Sequence, residues 1–315
     1  MINKWQLGFL LVLLLASLGA IAGLALFDEQ APERPDPTES LLLSDESEDP
    51  AAVPAGGAAE PDYESDRDRA PEVKDPRPRL YLVLDDAGQA MEEFRRFSAF
   101  PGSFTVAVLP FLPYSEQIVR AASAMGHEAI LHQPMEAYNG EDPGPGAIFL
   151  HNTDDEIRTI LRENLERYPH LVGVNNHMGS RATSDERVME TVLAVVRDEG
   201  LFFLDSRTTH TSVAPILAAR AGMPVLSRHF FLDHERSVTA INEQLDQALA
   251  HARRHGFAIM IGHVTVPETA DILLERYGEI EQAGFEFLPL SHAPAAGDVE
   301  QLVTMHRGID ADSGY

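Results

Sequence analysis

Residues 80–86 read LYLVLDD, an apolar run of five residues that ends in two aspartates. Further short apolar runs occur at 103–109, 128–131, 171–174, 201–204, 224–226, 257–261 and 285–289. Longer amphipathic segments separate them, at 89–98, 114–125, 153–167, 184–199, 211–221, 235–255 and 267–283. This alternation predicts repeated βα units and a mainly parallel sheet. Eight strands in about 210 residues fit a single α/β barrel.

Polar residues follow most of the predicted strands directly instead of lying within them. They are Asp85, Asp86, His132, Asn175, Asn176, His177, Asp205, Ser206, Arg228, His229 and His263. The carboxyl ends of the strands of a parallel barrel meet at one rim, where active sites of such folds lie. A single Asp in such a place is more often a cap or turn residue. The convergence of several carboxylates and imidazoles on one rim predicts a functional site there.

The N-terminus carries a long uncharged segment, residues 5–27, preceded by Lys4 and followed by Asp28 and Glu29. The segment is long enough to span a bilayer, and the charge asymmetry predicts a cytoplasmic N-terminus with the rest of the chain exported. A cleaved signal peptide is the alternative, but its apolar core would be shorter. We therefore expect residues 1–27 to be a single-pass anchor in the inner membrane, with the folded domain on the periplasmic side.

Composition divides the remainder into a linker, a domain and a tail. Residues 28–78 are rich in Asp, Glu, Pro, Ala and Ser and lack periodicity, which predicts a disordered linker. Residues 79–292 form the predicted folded domain, and residues 293–315 a flexible tail.

Charge argues against nucleic acid as a partner, and the absence of cysteine limits the possible metal ligands. The net charge is −26 and no basic patch stands out, so we expect no nucleic acid to bind. The chain has no cysteine, so any metal site must use nitrogen and oxygen ligands, which suits a catalytic metal.

Five segments together resemble the divergent polysaccharide deacetylases. They are YLVLDDAGQ (81–89), FTVAVLPFLPYSEQIVRAASAMGHEAILHQPMEAY (104–138), GVNNHMGSRAT (173–183), FFLDSRTTHTSVA (202–214) and AIMIGHV (258–264). The resemblance implies a distorted carbohydrate-esterase-like barrel of seven or eight strands. It also implies a divalent metal and an N-acetylated polysaccharide as substrate.

The resemblance further implies roles for individual residues. Asp85 corresponds to the general base, Asp86 and His132 to metal ligands, and His263 to the general acid. The better characterised branch has a second histidine four residues after the first, where this chain has Glu136. Since His177 also ends a strand, the third ligand is predicted to be His177, with Glu136 as the alternative.

The same set of residues is sufficient for amide hydrolysis on chemical grounds. Zinc held by imidazoles and a carboxylate makes water nucleophilic near neutral pH, a second carboxylate accepts a proton, and an imidazolium protonates the departing amine. Other rim residues are candidates for substrate binding or for orienting the ligands, and some have turn formation as an equal alternative. They are Asn176, Ser180, Arg181, Asp205, Arg207 and Arg228.

Three functions are consistent with these features. The first is a zinc-dependent deacetylase of an envelope polysaccharide such as peptidoglycan. The second is a non-catalytic envelope protein that keeps the barrel to bind glycan or a partner protein, an alternative that the departure at Glu136 supports. The third is a metal hydrolase acting on an ester or a peptide.

Overall fold

The structure is a computed structural model that describes residues 77–295 of the 315-residue chain. The predicted anchor, nearly all of the predicted linker and most of the predicted tail lie outside the described residues. The strands are β1 Arg79–Ala87, β2 Thr105–Val108, β3 Glu128–Met135, β4 Gly173–Met178, β5 Phe202–Asp205, β6 Val225–Ser227, β7 Phe230–Phe231, β8 Phe257–His263 and β9 Glu286–Phe287. The helices are α1 Met91–Phe97, α2 Ser115–Ala124, α3 Asp154–Glu166, α4 Glu186–Asp198, α5 Ala214–Ala221, α6 Val238–His255 and α7 Pro267–Gln282. Within residues 77–295, none of the helices combines the length and the apolar character needed to cross a membrane.

Eight strands form one curled parallel sheet in the order β6-β5-β4-β3-β2-β1-β8-β7. Every paired strand runs parallel to its neighbour, and short β9 pairs with the start of β1. The prediction of a mainly parallel α/β fold is therefore confirmed.

The expected distorted barrel of seven or eight strands is an eight-stranded half-barrel, whose two outer strands do not pair with each other in the described part of the chain. Only Arg228 and His229 separate β6 from β7. The backbone N–H of Arg228 donates to Asp205 O at the end of β5, and that of His229 donates to Ile259 O in β8. The chain therefore steps from one end of the sheet to the other through this connection.

The mouth of the half-barrel is the rim formed by the carboxyl ends of its strands. Below the mouth, the inner face of the sheet is apolar. Alternate strand residues point inward, among them Tyr81, Val83, Ile130 and Ile259, all of them buried. Leu290 follows β9 and is fully buried in the same cluster. These side chains fill the lower part of the half-barrel, so the polar residues one step further along the strands lie on a packed floor.

The outer face of the sheet is covered by the helices. One cluster packs the outward residues of β1 and β2 against Phe94 and Phe97 of α1 and against α6 and α7. A second cluster packs β3, β4 and β5 against α3, α4 and α5. Each fully buried large apolar side chain contributes about 1.5–3 kcal/mol to the free energy of unfolding. The two clusters fix the strands, and thereby the positions of the residues at their carboxyl ends.

Candidate metal centre and active site

The end of β1 contains a bulge that turns two consecutive aspartates toward the mouth. Leu84 pairs with Val106 and Ala87 with Val108, so Asp85 and Asp86 both lie opposite the single residue between them in β2. Asp86 has a φ of 63°, a left-handed conformation that Asp adopts more readily than most residues. In a regular strand the two side chains would point to opposite faces. The bulge allows both carboxylates to serve one site.

Three ligand atoms converge above this bulge. His177 Nδ1 lies 3.0 Å from Asp86 Oδ1, and His132 Nε2 lies 3.2 Å from the same oxygen. The two imidazole nitrogens are 3.1 Å apart. The three atoms therefore form a nearly equilateral triangle on strands β1, β3 and β4.

This triangle fits a divalent ion. Bond lengths of about 2.0–2.1 Å to nitrogen and oxygen separate neighbouring ligand atoms by roughly 2.9–3.4 Å, depending on geometry. Asp86 Oδ1 is buried between two imidazole nitrogens, yet among the described residues it accepts no well-aligned hydrogen bond. A buried carboxylate oxygen without a hydrogen bond is costly unless a cation neutralises it. Two imidazoles and one carboxylate are also a donor set that zinc prefers.

Asn175 orients two members of the site at once. Its Oδ1 accepts from His132 Nδ1 at 2.8 Å, which leaves His132 Nε2 free as a ligand atom. Its Nδ2 donates to Asp85 Oδ1 at 2.9 Å. The side chain of Asn175 is fully buried, so it is a positioning residue and has no access to a sugar. Its neighbour Asn176 is buried too, and its Oδ1 accepts the backbone N–H of Ser206.

The electrostatic environment gives the two aspartates different properties. Burial raises the pKa of Asp85, and the nearby His132 and His263 only partly counteract it. Burial alone would also raise the pKa of Asp86, but His132 and His177 outweigh it and hold the pKa of that carboxyl well below its usual range. Asp86 is thus the carboxylate that stays ionised as a ligand, whereas Asp85 is the one suited to accept a proton.

His263 lies across the mouth from the triangle and is held by Asp233. Its Nδ1 donates to Asp233 Oδ1 at 2.7 Å, and its backbone N–H donates to Asp233 Oδ2 at 2.8 Å. Thr269 Oγ1 also donates to Asp233 Oδ2. The other ring nitrogen, Nε2, lies 4.0 Å from Asp86 Oδ2 and so faces the site.

The charge of His263 is set by these acidic neighbours. Burial lowers the pKa of His263, but the hydrogen bond to Asp233 and the charges of Asp233, Asp86 and Asp85 outweigh it and raise the pKa to about 9. The ring is therefore protonated at neutral pH and can donate a proton from Nε2. Asp233 was not predicted from the sequence. A signal for it exists, because the tetrapeptide FFLD, which ends at the rim residue Asp205, occurs again at 230–233.

Glu136 lies outside the triangle. Its Oε1 accepts from Arg181 at 2.6 Å and its Oε2 accepts the backbone N–H of Leu150 at 2.7 Å. Ser180 Oγ accepts the backbone N–H of Tyr138. Glu136, Ser180 and Arg181 thus stabilise the loop after β3, and the geometry favours His177 as the third ligand.

Asp205, Arg207 and Arg228 lie beside the site at the end of β5 and in the β6–β7 connection. Asp205 Oδ1 accepts the backbone N–H of Arg207, but the two side chains form no ion pair. Arg228 donates from Nε to Ser206 O and from a terminal nitrogen to Arg207 O. These contacts do not reach the ligand histidines, so they do not support a role for Asp205 or Arg207 in orienting them.

Fold and site together define the class of protein: a parallel α/β half-barrel with a candidate metal centre at its mouth. The family model described as divergent polysaccharide deacetylase matches residues 82–293. The chain belongs to this family.

The chain is also similar to proteins described as uncharacterized. A protein of Haemophilus influenzae described as uncharacterized is 34% identical over 213 residues, which cover 67% of this chain and 72% of that protein. Uncharacterized protein YibQ of Escherichia coli K12 is 34% identical over 185 residues, which cover 59% of this chain and 58% of that protein, so the match spans little more than half of YibQ. The crystal structure of uncharacterized protein ATU2773 from Agrobacterium tumefaciens covers 70% of this chain and 91% of its own, with a TM-score of 0.66 and 23% identity. That likeness supports the fold.

Proposed function

We propose that this chain is a zinc-dependent deacetylase that removes acetyl groups from an N-acetylated polysaccharide of the cell envelope, such as peptidoglycan. The observation that carries the proposal is that groups suited to metal binding, proton acceptance and proton donation lie together at the mouth of the half-barrel. A three-atom ligand cluster, a buried carboxylate and a protonated imidazole surround the same space.

Asp86, His132 and His177 would hold the metal, and their nitrogen and oxygen donors favour zinc. A divalent ion held there supplies Lewis acidity for the amide carbonyl and for the attacking water. Asn175 and the bulge at Asp86 keep the ligand atoms converged without rearrangement.

Asp85 is the proton acceptor in this proposal. Its Oδ2 lies 3.7 Å from His132 Nε2, so it borders the ligand triangle without belonging to it. Water adds to the acetyl carbon as Asp85 takes its proton, which is general base catalysis. The raised pKa of Asp85 makes it a stronger base than an exposed aspartate.

His263 is the proton donor. As the carbon–nitrogen bond breaks, Nε2 gives its proton to the amine nitrogen, and acetate and a free amino sugar result. Asp233 keeps Nδ1 engaged, so that Nε2 is the nitrogen that faces the substrate.

The substrate class and the location rest on separate observations. The family description supports a polysaccharide. The uncharged segment at residues 5–27 supports an inner-membrane anchor and an extracytoplasmic domain.

Two measurements on the purified full-length protein test the proposal. We expect about one zinc per chain by elemental analysis and acetate release from an N-acetylated amino-sugar oligomer that stops when the metal is removed by a chelator. Metal and glycan binding without acetate release from any such oligomer would favour the non-catalytic alternative. Release from ester or peptide substrates alone would indicate a metal hydrolase that acts on an ester or a peptide.

A further inference from the structure

A polar cavity of about 410 Å³ runs along the side of the half-barrel, from the loop after β5 to His229 and His251. Its wall is formed by the loop after β5, the β6–β7 connection and helix α6. The ionisable side chains that line it are all basic or imidazole: Arg207, His210, Arg228, His229 and His251. No carboxylate is among the lining residues.

The two arginines of this cavity lack acidic partners among residues 77–295. No carboxylate oxygen in this part of the chain lies within 4.0 Å of either guanidinium. The chain has 50 acidic and 24 basic residues, so an arginine has many opportunities to pair, as Arg181 does with Glu136. Asp205, the nearby buried carboxyl, accepts a backbone N–H of Arg207 instead.

Arg228 is held in place by groups that do not neutralise it. Its hydrogen bonds go to the backbone oxygens of Ser206 and Arg207, at 2.7 and 3.1 Å. The guanidinium carbon also lies 4.8 Å from the centre of the Phe231 ring. Asp205 and Asp85 are close enough to act on the charge of Arg228, but neither contacts it. A fixed, half-buried guanidinium without a carboxylate in contact is a recognition element for carboxylate or phosphate.

His229 adds a hydrogen-bond donor to the wall. Its Nδ1 accepts the backbone N–H of Ile259 at 2.9 Å, so a neutral ring carries its hydrogen on Nε2. Burial lowers the pKa of His229 to about 4, with smaller contributions from the neighbouring His251, His255, Arg207 and Arg228, so the ring is neutral. Arg207 and Arg228 give the cavity two fixed positive charges in a chain of net charge −26.

The cavity is one side chain away from the proposed proton donor. Phe231, on which Arg228 stacks, contacts the His263 ring at a centroid distance of 5.0 Å. Arg228 is also connected to Asp85 through Ser206. Arg228 donates to Ser206 O, and Ser206 Oγ accepts from the Asn175 amide that also donates to Asp85. Arg228 is thus the lining residue through which a group on a glycan bound near His263 would contact the cavity, across the Phe231 ring.

We propose that this cavity is a subsite for an anionic group, a carboxylate or a phosphate, carried by the glycan whose acetyl group is removed. The inference rests on the proposed function and narrows the substrate from N-acetylated polysaccharides in general to acidic ones. A neutral polymer would leave the two guanidinium groups without a partner.

The first experiment measures binding without catalysis. Inorganic phosphate is titrated into the metal-depleted full-length protein by calorimetry, for wild type, Arg207→Gln and Arg228→Gln. Arg96→Gln, which removes the same charge from an exposed position on α1, is the matched control. We expect saturable binding that weakens about 10–100-fold in the two cavity variants, the range for a lost hydrogen bond between charged groups. Arg96→Gln should bind as wild type does.

Equal phosphate affinity in all four proteins would overturn the subsite. So would an equal loss in Arg96→Gln, because the effect would then be one of overall charge.

The second experiment identifies the source of the charge with the zinc-loaded protein. Acetate release is compared for three N-acetylated oligomers of equal length that are neutral, carboxylated or phosphorylated. We expect a kcat/KM preference for one acidic oligomer, carried mainly by KM, and at least a tenfold fall of that preference in Arg207→Gln. A preference that survives in Arg207→Gln, or a wild type that favours the neutral oligomer, would overturn the subsite. Phosphate binding that depends on Arg207 and Arg228 without acetate release from any oligomer would instead contradict the proposed deacetylase function and leave the anion site standing.

Discussion

Asp86 has two requirements to meet at one position, a left-handed backbone and an anionic ligand atom. Its φ of 63° limits the replacements that leave the bulge intact, and Asn is the one that also tolerates this conformation. Replacement of Asp86 by Asn therefore tests the charge with little disturbance of the backbone.

The first prediction compares Asp85→Asn with Asp86→Asn. Asp86→Asn removes the anionic ligand and should weaken zinc binding by more than the roughly 10–100-fold of an outer-shell change. Asp85→Asn should keep zinc and fold while acetate release falls about 10²–10⁴-fold, because only the proton acceptor is lost. Zinc titration and acetate release on both variants measure this. Loss of zinc from Asp85→Asn, or normal zinc affinity in Asp86→Asn, would reverse the assignment.

The second prediction concerns the charge on His263. The pKa of about 9 lies above that of an unfolded histidine, so the pair with Asp233 stabilises the fold fully below about pH 6.5, and this contribution is lost as the pH rises through 9. In Asp233→Asn the amide offers an N–H toward Nδ1, which then must accept, so the ring should be neutral near pH 7. Titration of the His263 ring by NMR in metal-free protein measures the pKa directly. The same high pKa in wild type and variant would show that Asp233 does not set it.

At the residue scale the sequence identified most of the groups that meet at the mouth. Asp85, Asp86, His132, His177 and His263 lie together because the carboxyl ends of parallel strands share an edge. Asp233 was missed because it follows a strand of two residues, too short to produce a period. The bulge was also missed, since a register shift depends on the partner strand and leaves no local pattern.

At the element scale all eight predicted strands and all seven predicted helices are present, with shifted ends. The ends depend on side-chain contacts that a sequence does not reveal. Helix α4 is capped by Asp185, whose side chain accepts the N–H of Val188. Strand β9 is only two residues long because its partner, the first part of β1, is bordered by β2 from Val83 onward.

The third prediction tests the floor of the half-barrel. Leu290 comes from the turn after β9 and is fully buried among the inward residues of the sheet. Leu290→Ala should lower the free energy of unfolding by about 2–5 kcal/mol through lost burial and the cavity left behind. Denaturant unfolding measures the change. Ile216→Ala, at a position 57% exposed on α5, is the control and should change stability by less than about 0.5 kcal/mol.

At the scale of the whole molecule the sequence predicted the parallel α/β architecture but not the gap in the sheet. Closure depends on strand tilt and stagger around the entire sheet, which are properties of all the strands together. The connection at Arg228 and His229 leaves β6 and β7 unpaired with each other in the described residues. The same connection forms one wall of the basic cavity, so the departure from a regular barrel and the proposed anion subsite share one segment.

The two ends of the described region are tied to its interior, which bears on where the domain begins and ends. Pro78 O accepts the N–H of Glu286 in β9, and the Tyr81 hydroxyl donates to His292 O. A domain confined to 79–292, as predicted from sequence, would lose the first of these contacts. We therefore place the first boundary before Pro78.

The last prediction is that residues 77–295 alone form a soluble domain that unfolds cooperatively and binds one zinc ion. Three buried clusters of residues in this range pack both faces of the sheet, and we expect this packing to be enough to hold the strands. Zinc at about 100 times its dissociation constant should raise the free energy of unfolding by about 2.7 kcal/mol, because only the folded chain has the ligand triangle. A shorter fragment, 77–287, removes Leu290 and the Tyr81–His292 hydrogen bond and should be less stable while keeping every ligand. Thermal unfolding of both fragments with and without zinc measures these differences. Aggregation of 77–295 or a gradual, non-cooperative transition would show that the fold requires residues outside the range, and equal stability of the two fragments would contradict the role given to the floor.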